Sequence, residues 1–581
     1  MNKLFAFLLG GLLICSCRPS QDNALLLKGG KVVNAELGTV TEADVLIENG
    51  RIARIGQNLP DKGNAQVVDA AGLFITAGFI DSHVHIESSM VLPKAFGEAV
   101  LPHGTTAVIA DPHEVVNVAG AKGLREFLDE AAKAPINVYT VVPSSVPATP
   151  FDTNGAGKFL ASDMKEFVNR PEVVGLGEVM CYMDVVNRNP EIMDKIALFR
   201  QAGKTIDGHT AGMNEKFVAS FHDAGVENDH ECVNSISLMN RYRAGMNVYI
   251  REGSAARDAE TLLNCVKDSA LNVDKFAFCT DDKHLATIAQ EGHISHIVRL
   301  ARRMGFSWPQ VARMASFNPS RYYHLNDRGN VAEGLVADLV LADDSCKTIA
   351  YVIKDGKLVA EAGKKTVCET DGKTPNESTE PETIKFENTV VMKNLTPEQF
   401  QLPQALQRVA IGLKDGMLLT DKIDLKPGEW KQTTRLATIE RYGKNGNMAV
   451  CALTGYGIEG GAVATSVSHD SHNVVCAGDN EADMALACNR LQALGGGYVI
   501  ASKGEIVGEF ALPAYGLMST LDATEAARQI KVLEDRTHAM GVNPHIDAFT
   551  TLSFIALPVI PRLRLLDTGL FDMFGNGFIG K

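Results

Sequence analysis

At 581 residues, with 45% hydrophobic and 22% charged side chains, the chain is globular and too long for a single ordinary core, so about three domains are expected. A formal net charge of -14 argues against a nucleic-acid or anionic-membrane surface, because phosphate backbones select basic faces. A neutral or cationic small molecule is the better-matched partner.

Residues 1–22 stand apart from the fold. Lys3 precedes an apolar segment, residues 4–14, which is too short to cross a bilayer, a task that needs about 20 apolar residues. This segment is read as an export signal. Ile14-Cys15-Ser16-Cys17 resembles a bacterial lipobox in which Cys17 is lipidated and becomes the new amino terminus. That implies a lipoprotein anchored to the membrane and facing the periplasm, with a cytoplasmic location if the leader is not processed. The other nine cysteines are scattered, odd in number and without CxxC spacing, which suits small buried hydrophobes better than disulfides or zinc knuckles.

Residues 23–71 carry short alternating stretches separated by Gly29-Gly30 and Asn49-Gly50, a hairpin-rich β pattern. The same vocabulary returns at 332–366, and the two segments are expected to pair into one small β-sandwich. Between them, residues 72–331 repeat an apolar strand, a polar cluster and helix-type sequence every 20 to 35 residues or so. Residues 73–80 form the first run and are expected to be one strand covered on both faces. Runs at 106–110, 137–142, 173–176, 205–206, a weaker one before His230, 247–250 and 275–279 follow. Eight βα units in about 250 residues predict an α/β fold of the (β/α)8 TIM-barrel type; an open doubly wound sheet is the alternative.

The polar clusters follow their strands, so in a parallel barrel they converge on one rim. His83 and His85 share a parity on an extended chain and leave it on one side. Glu178, His209, His230 and Asp281 each occupy a later strand end. Four imidazoles and two carboxylates suit Mn²⁺, Fe²⁺ or Zn²⁺, and two ions bridged by Glu178 would use all six. Residues 294–304 predict an amphipathic helix and 308–315 a second. His293 and His296, on or beside the first, are read as structural. An acidic polar linker spans 367–384, and 385–581 forms a second, α+β unit. Its most pointed stretch is Ser466-Val467-Ser468-His469-Asp470-Ser471-His472-Asn473, before a strand at 474–478 and a helix at 481–494 that ends at Gly495.

The HxH pair, the later histidines and the final aspartate resemble the amidohydrolase superfamily. Gly104-Thr105-Thr106-Ala107-Val108-Ile109-Ala110-Asp111-Pro112-His113-Glu114, Asp229-His230-Glu231-Cys232, Ile250-Arg251-Glu252-Gly253-Ser254 and Thr280-Asp281-Asp282-Lys283-His284 resemble bacterial adenine deaminases more closely. The likeness runs from about residue 24 to the carboxyl end. Glu178 stands where many binuclear amidohydrolases carry a carboxylated lysine, which also points to that branch. The resemblance implies a binuclear Mn²⁺ centre, deamination of adenine to hypoxanthine and a homodimer. Asp281 is then both ligand and catalytic base, and Glu231 the acid that protonates the ring. His113, Glu114 and Arg251 are candidate substrate contacts, as are His469 and His472 in the carboxy-terminal unit. Two alternatives remain: an amidohydrolase acting on a cyclic amide or another aminated heterocycle, and a lipid-anchored purine-binding protein without catalysis.

Overall fold

The computed structural model describes residues 24–60, 65–362, 364–365, 386–415, 417–575 and 577–580. The leader with Cys17 and the acidic stretch 367–384 lie outside these residues. Among the described residues no helix is long and apolar enough to cross a membrane.

Eight parallel strands form the central barrel: β1 (Phe79–Val84), β2 (Thr105–Ala110), β3 (Asn137–Val142), β4 (Val173–Val179), β5 (Thr205–Gly208), β6 (Asn228–Asp229), β7 (Asn247–Arg251) and β8 (Phe276–Cys279). Their side chains are almost all buried, as expected for strands lined by helices outside and packed side chains inside. The Asp281 amide donates to the His83 carbonyl at 2.9 Å and the His85 amide to the Asp281 carbonyl at 3.1 Å, which closes β8 onto β1. On the other side, the Glu227 amide donates to the Ile206 carbonyl at 2.9 Å and joins β5 to β6. β6 has only two residues, which explains its faint signature.

The run at 73–80 is not one strand. Phe74–Ala77 belongs to the flanking sheet, and β1 begins only at Phe79. Gly78 lies at the crossover because Thr106 packs against it: a Cβ on Gly78 would sit 2.2 Å from the Thr106 hydroxyl oxygen. Hydrophobicity is the same on both sides of Gly78, so the pattern alone could not reveal the change of sheet.

Residues 24–69 and 339–365 contribute to a single nine-stranded sheet, joined through the antiparallel pair Phe74–Ala77 and Leu339–Ala342. The sheet curls, so that the Ile52 amide donates to the Leu335 carbonyl and the Ala337 amide to the Gly50 carbonyl, both at 2.9 Å. It encloses one core that includes Leu27, Val45, Leu339 and Leu341. Where two facing layers are expected, one sheet bends around its own apolar face.

The carboxy-terminal unit is built on an eight-stranded sheet in the order 417–424, 409–414, 448–454, 434–439, 474–478, 462–465, 497–502, 505–511. The helix Glu481–Leu494 packs on it and ends with Gly495 in the left-handed conformation, φ 78°, where glycine has no Cβ to clash. Ile86, Val91 and Phe96 of the barrel share one contiguous apolar cluster with Leu512, Met518 and Leu552. This places the 466–473 loop, between two central strands, directly over the barrel rim.

Candidate active site

Strands β1, β4, β5, β6 and β8 deliver their polar residues at the same end, so the six expected ligands converge. The Nε2 atoms of His83 and His85 are 3.2 Å apart. His85 Nε2 lies 3.1 Å from Asp281 Oδ1 and 3.4 Å from Glu178 Oε1. On the far side of Glu178, Oε2 is 3.2 Å from His230 Nε2 and 2.6 Å from His209 Nδ1. Glu178 thus stands between two groups, one of His83, His85 and Asp281 and one of His209 and His230.

The donor set fits divalent metal ions. His85 Nδ1–H donates to the Asp111 carbonyl at 2.9 Å, which fixes the ring and turns Nε2 toward the centre. Burial, with His230 and His85 alongside, holds the His83 imidazole well below its ordinary pKa, so it presents a lone pair. Asp281 is buried, which opposes its charge, but His85 and Arg251 outweigh burial and hold the carboxyl well below the usual carboxylate range. Burial opposes charge on His85, His209 and His230, but the carboxylates beside them outweigh it and raise all three imidazoles, His209 to about 9, so these rings hold protons that a divalent cation would displace on binding.

A cavity of about 120 Å³ opens onto this centre. One side is polar and comes from the barrel, with His113, Glu178, His209, Glu231, Arg251 and Asp281. The other is apolar and comes from the carboxy-terminal unit, with Leu418, Phe554, Leu557, Val559 and Ile560. Phe554 stacks on His469, with ring centroids 4.4 Å apart and planes 16° from parallel. A flat heterocycle with polar edges matches such a divided chamber.

The structure brings the remaining candidates to the same rim in different ways. Arg251 Nη1 donates to Asp281 Oδ2 at 2.9 Å and to Glu231, while Nη2 reaches Asp258 at 3.1 Å. It therefore bridges the two expected catalytic carboxylates, and its guanidinium faces protein partners. His113 lines the cavity and lies between Glu178 and Glu114, at 3.2 Å and 3.0 Å. The Glu114 carboxylate is surrounded by His113, His469 and His472. His472 is 1% exposed and absent from the cavity wall, so it acts on the site through Glu114.

Three further residues shape the site, though the sequence gives them no part in its chemistry. Asp111 Oδ2 accepts the Glu178 amide at 2.8 Å, and the Asp111 carbonyl orients His85. Asp282 lines the cavity and accepts the Ser88 hydroxyl. Arg564 is 1% exposed and donates to the carbonyls of Leu418, Phe554, Ile560 and Pro561 at 2.7–3.1 Å. Three of those residues form the apolar wall. Asp111 and Asp282 stand inside the motifs that resemble adenine deaminases, and residues 558–564, which include Arg564, belong to the same likeness and read as structural.

An eight-stranded parallel barrel with an HxH pair, a bridging carboxylate, two further histidines and a final aspartate defines a metal-dependent hydrolase of the amidohydrolase class. Residues 74–359 match the Amidohydrolase family model, and residues 417–575 match that of the adenine deaminase C-terminal domain. An adenine deaminase of Halalkalibacterium halodurans is 38% identical over 578 residues, covering 97% of this chain and 96% of that protein. Those of Kosmotoga olearia and Nitratidesulfovibrio vulgaris strain DP4 are 38% and 39% identical over 574 and 563 residues, covering 97% and 94% of this chain and 97% and 95% of those proteins. The chain belongs to the adenine deaminase family.

Proposed function

We propose that this protein deaminates adenine hydrolytically, releasing hypoxanthine and ammonia. The observation that carries the reading is the composite chamber, in which a ligand set from the barrel faces an apolar wall from the adenine deaminase C-terminal domain. The high identity to adenine deaminases along nearly the whole chain supports it.

His83, His85, Glu178, His209, His230 and Asp281 would hold two divalent ions, of which Mn²⁺ is the favoured identity and Fe²⁺ or Zn²⁺ the alternatives. When bound, such ions supply Lewis acidity and bring the pKa of water close to neutrality. Asp281 receives the proton of the water whose oxygen bonds to carbon 6 of the purine, within the hydrogen-bond reach that general-base catalysis needs. Glu231 delivers a proton to the ring nitrogen beside carbon 6, Asp281 passes the proton it received to the exocyclic nitrogen, which leaves as ammonia, and the remaining hydroxyl proton returns to Glu231 as the carbon 6 carbonyl forms. Arg251, held by both carboxylates, keeps them at a fixed separation. The apolar wall excludes bulk water, and His469 contacts the edge of the base.

Ammonia release from adenine by protein lacking residues 1–22, loaded with Mn²⁺ and compared with a chelated sample, tests the proposal. Metal-dependent conversion to hypoxanthine supports it, and no turnover with two ions bound rejects adenine as the substrate. Cys17 is proposed as the lipid attachment point of a membrane-anchored, periplasm-facing form, on the lipobox-like sequence. If Cys17→Ala leaves the distribution between membrane and soluble fractions unchanged, that proposal fails.

A further inference from the structure

We infer that His113, Glu114, His469 and Asp470 form a third divalent-cation site, separate from the pair bridged by Glu178 and shared between the barrel and the carboxy-terminal unit. None of the four belongs to the six ligands described above. One donor atom from each lies within 4.8 Å of the others, and all four residues are buried. His113 Nε2 is 3.0 Å from Glu114 Oε1 and 3.7 Å from Asp470 Oδ1, and His469 Nδ1 contacts the same Glu114 oxygen.

Two further observations point to a ligand at this place. Asp470 Oδ2 is buried without a hydrogen-bond partner among the described residues, so a buried carboxylate oxygen lacks the partner that burial demands. His472 meanwhile has the arrangement of an orienting residue. Its Nδ1 accepts the Ser468 amide at 3.1 Å, so the neutral ring carries its proton on Nε2 and donates it to Glu114 Oε2. Carboxylate ligands are commonly fixed by such an outer histidine. Two imidazole nitrogens and two carboxylate oxygens select Mn²⁺, Fe²⁺ or Zn²⁺. A cation there would tie the 466–473 loop to the barrel rim, beside His113, whose other nitrogen is 3.2 Å from Glu178.

The test is a metal count on protein lacking residues 1–22, stripped with a chelator, reloaded with Mn²⁺, freed of excess ion by gel filtration and measured by plasma mass spectrometry. Three ions per chain are expected in this protein and two in Asp470→Asn. Two ions in the unsubstituted protein, or three in Asp470→Asn, overturn the site. If Asp470→Asn does not fold, anomalous diffraction at the manganese edge on the unsubstituted protein decides: a peak among the four side chains supports the site, and its absence overturns it. The count is independent of turnover, so failure of the adenine reading leaves this result standing.

Discussion

Asp281 faces His83, His85 and Arg251 at once, so its two oxygens have different partners and it can serve as ligand and base together. Asp281→Asn keeps the shape and removes the base. Turnover of adenine is expected to fall at least about 100-fold, with metal content measured on the same sample. Full activity with metal bound excludes Asp281 as the base. Arg251 raises a second question at the same place. Arg251→Met leaves Asp281 and Glu231 without their shared cation, and kcat is expected to fall by roughly 100-fold with a smaller change in KM, because positioning of reacting groups is lost while the cavity wall remains. Steady-state kinetics on the metal-loaded variant measures the split.

Two elements show how local sequence serves the site. Gly78 lets the chain leave the flanking sheet and enter β1 under the Thr106 side chain. Gly78→Ala is expected to cost about 1–3 kcal/mol in urea unfolding, the range for overpacking a close-packed interior, and Thr106→Ala in the same chain should relieve part of it. The apolar wall depends on Arg564, whose guanidinium gathers the carbonyls of three chain segments. A buried arginine bonded only to carbonyls is costly to desolvate and is retained where its forked donors set a geometry. In Arg564→Met the wall loses its common anchor, and KM for adenine should rise roughly tenfold while kcat changes less.

The whole molecule makes the active site from two units. The barrel supplies the candidate ligands and the carboxylates proposed to move protons, and the carboxy-terminal unit supplies the wall and the loop that reaches Glu114. Metal ions that bind only the folded chain stabilise it by mass action. Chelation is therefore expected to abolish turnover and to lower the thermal midpoint by about 5–10 °C, with both restored by Mn²⁺. A midpoint indifferent to chelation and reloading would mean that the converging side chains hold no ion in the folded protein.

The barrel, its strand order and the six side chains that converge at its rim were legible in the linear chain, because parallel strands place every carboxyl end on one rim and the chemistry recurs in phase with the hydrophobic runs. The carboxy-terminal His-Asp-Ser-His stretch could be noticed but not placed, since its partner Glu114 lies more than 350 residues away. Composition also could not separate the two strands on either side of Gly78, nor name the carbonyls that Arg564 gathers. Those outcomes rest on burial and on which distant backbones meet, and long-range packing sets both. Hydrophobic periodicity records which face of an element is covered; which element covers it is settled only when the chain has closed on itself.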